Sequence, residues 1–196
     1  MIVGSHVIFG MYGFWLPNDP RGSWSDFVGS WNLFQFGPAT KSGETRSVAY
    51  RPHDHARRLA AKDALKRPPV KLNGLQARAV GRGFATYVER SGLTVWACAI
   101  LPDHVHLVVK QPKITVESLV IQLKGSASER LRMESLHPFQ HLLDKNGRPY
   151  KCFARGQWKV YLGPDDVEAA IQYVERNPEK DGLPRQTWRF VSPLVY

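Results

Sequence analysis

The chain has 196 residues, 43% of them hydrophobic, which suffices for one buried core and excludes wholesale disorder. Lys and Arg number 27 against 17 Asp and Glu, a net charge of +10 that suits a polyanionic partner, because each phosphate neutralised releases condensed counterions. Two cysteines, Cys98 and Cys152, exclude a disulfide framework, and no apolar run approaches the ~20 residues of a membrane-spanning helix.

The opening MIVGSHVIFGMYGFW lacks a basic start and a cleavage site, so a soluble cytoplasmic protein is expected. Within it, residues 5–12 (SHVIFGMY) are β-branched and aromatic enough for a first strand. The pattern then dissolves into Gly, Pro, Ser, Asn and Asp, the residues of turns, interspersed with Trp15, Trp24, Trp31, Phe27, Phe34 and Phe36. A solvated linker has no need of so many aromatics, and 17–71 is read as an ordered insertion within a single domain spanning 1–196. Inside it, 52–66 (PHDHARRLAAKDALK) reads as a short basic helix.

Residues 72–91 read as a helix with a slip near Gly81–Gly83 and a stop at Gly92. LTVWACAILP (93–102) is almost continuously apolar and reads as a buried central strand. After a Pro102-Asp103 break, HVHLVVK (104–110) reads as its antiparallel neighbour. Thr115 caps a helix over 116–136, GQWKVYLG (156–163) is the next strand, and Gly163-Pro164-Asp165-Asp166 opens a last helix expected to stop near Asn177, before Pro178. The succession is α+β: a ferredoxin-like βαββαβ core, an antiparallel sheet with helices on one face, and a long aromatic-rich insertion after the first strand.

Two elements carry chemistry. His104 and His106 lie two apart on a strand, so both imidazoles project from one face and form half of a divalent-metal site. Tyr173 and Asn177 stand at i and i+4 on the last helix, one above the other, offering a phenol that can attack phosphorus and a hard amide oxygen suited to Mg²⁺ or Mn²⁺. Taken singly, each has a plainer reading: two histidines of a half-exposed strand, a tyrosine packed on a sheet edge, an Asn capping a helix.

The strings AILPDHVHLVVK (99–110), LVIQLKGSASERL (119–131) and QWKVYLGPDDVEAAIQYVERNPEKDGL (157–183) together resemble, in order, the motif blocks of the single-tyrosine HUH transposases. These include insertion-sequence enzymes and REP-associated tyrosine transposases. The resemblance covers 93–183; WLPNDPRGSW (15–24) has the look of longer bacterial members, and 17–71 falls outside the compact form. It implies that His104, His106 and Asn177 are metal ligands for Mg²⁺ or Mn²⁺ and that Tyr173 is the catalytic nucleophile. The enzyme would cut and rejoin single-stranded DNA near hairpins through a 5′-phosphotyrosine. Its partners would be single-stranded or hairpin DNA, with nucleoid association when bound and either a monomeric or a homodimeric state. Lys124, Arg130, Arg132, Arg176, Lys180, Arg57 and Arg58 would meet phosphates, and Trp15 and Trp24 would stack on unpaired bases. The alternative is a catalytically silent DNA-hairpin-binding protein on the same fold, in which the four site residues have no task.

Overall fold

The computed structural model describes residues 1–17, 19, 28, 31–37 and 53–194. Four strands, β1 (Gly4–Gly10), β2 (Val95–Ile100), β3 (His104–Lys110) and β4 (Trp158–Leu162), form one antiparallel sheet in the order β2-β3-β1-β4. The helices are α1 (Trp31–Phe34), α2 (His55–Asp63), α3 (Gly74–Ser91), α4 (Val116–Met133) and α5 (Pro164–Lys180). Among the described residues, no helix is long and apolar enough to cross a membrane.

Alternation along the strands sorts the side chains between two layers. Val7 and Phe9 of β1 and Val105, Leu107 and Val109 of β3 face α3 and α4, whose Val80, Phe84, Leu119, Val120 and Leu123 complete the larger core. These two helices belong to the βαββαβ succession and share one face, as the sequence implies. The third long helix, α5, covers the other face, where Val167 and Val174 pack on Trp96, Ala97, Ala99 and Val108. The amphipathic α5 has an apolar stripe to bury, and the sheet's second face is where its own apolar side chains lie.

Local chemistry explains the boundaries. Asn73 and Gln76 cap α3 reciprocally, each side chain accepting from the other's backbone N–H, and Gly92 closes the helix in the left-handed conformation at φ 67°. Thr115 accepts from Ser118 N–H at the start of α4. The slip at Gly81–Gly83 has a packing cause. A Cβ on Gly81 would stand 2.3 Å from the Trp188 ring, and one on Gly83 would stand 2.6 Å from the Ala127 Cα. These glycines let the C-terminal segment and α4 approach α3 closely.

β2 corrects one expectation. Though wholly buried, it lies at the sheet edge. Its outer side is satisfied by the C-terminal segment: Gln186 accepts from Ile100 N–H and donates to Ile100 O, both at 2.8 Å, and Ser192 N–H donates to Val95 O. An apolar run reports burial on both faces and says nothing of which neighbours supply the hydrogen bonds.

Gly83→Ala is expected to destabilise by about 1–3 kcal/mol, because the methyl meets the Ala127 backbone rather than a side chain that can swing away. Gly125→Ala, where an added Cβ meets nothing within 4 Å, is expected to stabilise by up to about 1 kcal/mol through helix propensity. Urea denaturation of the two variants checks both signs.

Candidate active site

The site forms where β3, β1 and α5 meet. In β3, Val105 and Leu107 enter the core under α3 and α4, so His104 and His106 turn to the α5 side. Gly10 of β1 lies opposite His104 in the register, and its missing side chain leaves room for Phe14, whose ring stacks on His104 at 4.6 Å with 20° between planes. An added Cβ at Gly10 would come within 2.5 Å of that ring. The start of the aromatic-rich stretch thus folds back over the first histidine.

Both histidines are held through the same ring nitrogen. His104 Nδ1 lies 2.7 Å from Asp103 Oδ1, and His106 Nδ1 lies 3.1 Å from Nε2 of a third histidine, His6. The His104 and His106 ring centres are 4.8 Å apart. His6 sits opposite Val108 in the β1–β3 register, diagonal to His106, and is itself 8% exposed. Burial lowers the His6 imidazole to about 4. His106 is 3% exposed and is held well below its usual value, first by burial and then by the nearby His104, His6 and Lys180. Both rings are therefore neutral at neutral pH, the form in which imidazole ligates metals.

Helix α5 brings Tyr173 over this group within the same chain. Its ring centre lies 5.8 Å from that of His106 and 5.7 Å from that of His6, both in edge-on geometry, and the residue remains 39% exposed. Asn177, 8% exposed, donates from Nδ2 to Tyr173 O at 3.3 Å, which leaves Oδ1 available. The helix does not stop at Asn177 as the sequence suggested. It runs to Lys180 with Pro178 inside, because only the last turn loses a hydrogen bond to the proline, and Asp181 and Leu183 close the end on Pro178 O. The extra turn places Lys180 seven residues beyond Tyr173 on the same face, with Nζ 4.2 Å from the tyrosine ring centre.

The donor chemistry is compatible with a divalent ion. Two imidazoles with Nδ1 already engaged leave Nε2 of His104 and His106, and Asn177 adds an oxygen. Among the described residues no group of three or more His, Cys, Asp or Glu side chains is arranged to hold a metal. Were such an ion bound here, the protein would offer it two nitrogens and an amide oxygen, and water or a phosphate would fill the remaining positions.

Other residues singled out in the sequence lie elsewhere. Lys124 is engaged within the protein: its ammonium donates to Ala154 O at 2.9 Å and Gly156 O at 2.7 Å and lies above the Phe9 ring, and burial lowers it to about 8. It braces the segment leading into β4. Arg130 and Arg132 ride on α4, across the sheet from the histidines, and Arg130 bonds Thr86 and approaches Glu134. Arg57 donates to Gln35 O, and Arg58 is half-buried on α2. Arg176, exposed on α5, is near the site in sequence and in space. Trp15 packs on Phe14, two steps from His104, whereas Trp24 lies outside the described residues. Sequence reasoning passed over His6 and Phe14. The visible signal for His6 was a single polar ring amid the apolar residues of the first strand.

A four-stranded α+β fold that gathers histidines on one sheet face beneath a helical tyrosine defines a protein with a histidine–tyrosine site on a basic scaffold. Residues 69–177 match the IS200-like transposases, more than half of the chain, and the chain belongs to that family. Among solved structures it is similar to a REP-associated tyrosine transposase bound to a REP hairpin, at 12% identity over 97% of this chain and 76% of that one, with a TM-score of 0.48. A protein assigned as a transposase in Deinococcus radiodurans R1 is similar at 15% identity over 90% of this chain and 91% of that one, with a TM-score of 0.37. No curated protein matches the chain.

The buried histidine gives the metal-free protein an acid sensitivity of defined sign. Between pH 6.5 and about 4 the unfolded chain binds a proton on His6 that the folded chain refuses, so stability falls as pH falls through that window and is unaffected by His6 above it. Urea midpoints measured across this range should fall less steeply for His6→Gln than for the natural chain.

Proposed function

We propose that this transposase nicks and rejoins single-stranded DNA near hairpins, with Tyr173 as the attacking group and a Mg²⁺ or Mn²⁺ ion held by His104, His106 and Asn177. The observation that carries the reading is the seating of an exposed Tyr173 against His106 within one chain. A structural tyrosine has no reason to share a face with two histidines whose Nδ1 atoms are engaged and whose Nε2 atoms are left over.

When bound, the metal would polarise a non-bridging oxygen of the scissile phosphate and help to orient it. Tyr173 Oη attacks the phosphorus and loses its proton, a P–Oη bond forms, and the bond to the 3′ oxygen breaks. The departing oxygen takes up a proton, leaving a free 3′-OH on one fragment and a 5′-phosphotyrosine on the other. Because the linkage remains a phosphodiester, a later 3′-OH reverses the step and reseals the strand without ATP. Lys180 places positive charge beside the phenol ring, where it favours the negative charge gathering on the phosphate. Arg176 on the same helix meets backbone phosphates. Trp15 near the site, and the exposed pair Trp31 and Phe34, supply faces on which unpaired bases stack.

The test is a denaturing gel of labelled single-stranded DNA from the flanks of the gene, incubated with protein and Mg²⁺ or Mn²⁺. A slow-migrating adduct is expected, and it should vanish with EDTA, with Tyr173→Phe and with His104→Ala. Hairpin binding without adduct or cleavage would instead indicate a silent binder, and cutting that survives Tyr173→Phe would rule out the covalent step. Lys180→Met is expected to slow single-turnover cleavage by about ten- to hundredfold while weakening DNA binding much less, as read by parallel gel-shift and quench experiments.

A further inference from the structure

His6 stands outside the two motif elements yet makes a side-chain hydrogen bond with His106, with 3.1 Å between its Nε2 and His106 Nδ1. The two rings lie 25° from parallel with centres 5.3 Å apart, and Trp158 and Tyr173 pack edge-on against His6 at 5.4 and 5.7 Å. Strand β1 runs between β3 and β4, so the backbone carrying His6 is hydrogen-bonded on both sides. The imidazole has no room to turn away, and with 8% exposure it has little water to turn toward.

We propose that His6 is a positioning residue that fixes the tautomer and the aim of His106, so that Nε2 of His106 is the nitrogen offered to a divalent ion. The inference rests on the metal reading given above and extends it to a residue outside that ligand set. A neutral imidazole carries one proton and one lone pair. For Nε2 of His106 to ligate, its Nδ1 must hold the proton, and that N–H must find an acceptor. His6 Nε2 is within reach and supplies the lone pair, which places the His6 proton on its own Nδ1. Asp103 performs the same service for His104, at 2.7 Å from its Nδ1. The two ligating rings are thus oriented by different acceptors, a half-buried carboxylate at the strand's start and a buried imidazole at its middle.

Mn²⁺ titration of the full-length, DNA-free protein, followed by the electron paramagnetic resonance of the unbound ion, tests this. His6→Leu and His6→Asn are expected to weaken Mn²⁺ binding by about ten- to hundredfold. His6→Gln, whose amide oxygen falls where Nε2 stands, should stay within about threefold of the natural chain. A general packing defect would not be rescued by Gln and spoiled by Asn. Equal Mn²⁺ affinity in the Leu variant and the natural chain, with binding lost in His104→Ala, would overturn the role of His6 alone. Natural protein that binds Mn²⁺ no better than a His104→Ala/His106→Ala double variant would overturn the metal reading and this inference with it. Long-range ¹H–¹⁵N NMR of the natural, metal-free chain decides the point even if the variants fail to fold. Nδ1–H tautomers at His106 and His6 are expected, and an Nε2–H tautomer at His106 would overturn the proposal.

Discussion

The antiparallel register of β1 against β3 is the constraint on which the site depends. Side chains alternate strictly along a strand, so a slip of one residue would send His6 to the α3–α4 side and Val7 to the α5 side. The register is pinned by what lies beneath it: Val7 and Phe9 interlock with Val105 and Leu107 under α3 and α4. Moving these side chains out of the core would cost several kcal/mol, on the order of ~2 kcal/mol for each large apolar group. The larger core therefore holds the polar face of the same strands in alignment.

The second constraint is the length of α5. Tyr173, Asn177 and Lys180 share a stripe only because the helix continues through Pro178. A proline in the final turn removes one backbone hydrogen bond, and the carbonyls of that turn find new donors in the residues after the helix. The site is thus assembled from one strand pair and one helix face, on the side of the sheet where Trp96, Val108 and Val174 form a smaller apolar layer beside it. Embedding His6 and His106 next to that layer keeps them uncharged, and leaving Tyr173 at its rim keeps the phenol accessible.

Much of this was readable from the chain alone, for reasons that differ by element. The HVH spacing, the Tyr173–Asn177 pair and the caps at Gly92 and Thr115 are local, written within a few residues, and they survive in the structure. What depends on the meeting of distant segments was not readable. No periodicity reveals that β2 is an edge strand finished by Gln186, which lies 86 residues away from its partner Ile100. The partnership of His6 with His106 spans 100 residues and exists only once the sheet order is known. Lys124 looked like a phosphate contact because sequence shows a charge and not what surrounds it. Its ammonium is taken by two backbone carbonyls and the Phe9 ring.

The covering of β2 by the C-terminal segment makes the two margins of the sheet unequal. On the β2 side Gln186 and Ser192 occupy backbone groups that another strand would need. On the β4 side, among the described residues, no strand lies beyond Trp158–Leu162. Growth of the sheet by addition of an extended segment is therefore one-directional. Trp158, at one end of that open margin, also touches His6 with its ring. Any chain that lengthened this sheet would run alongside Trp158, whose ring touches the residue that backs His106, so that assembly at the margin and order at the histidines would meet at that indole.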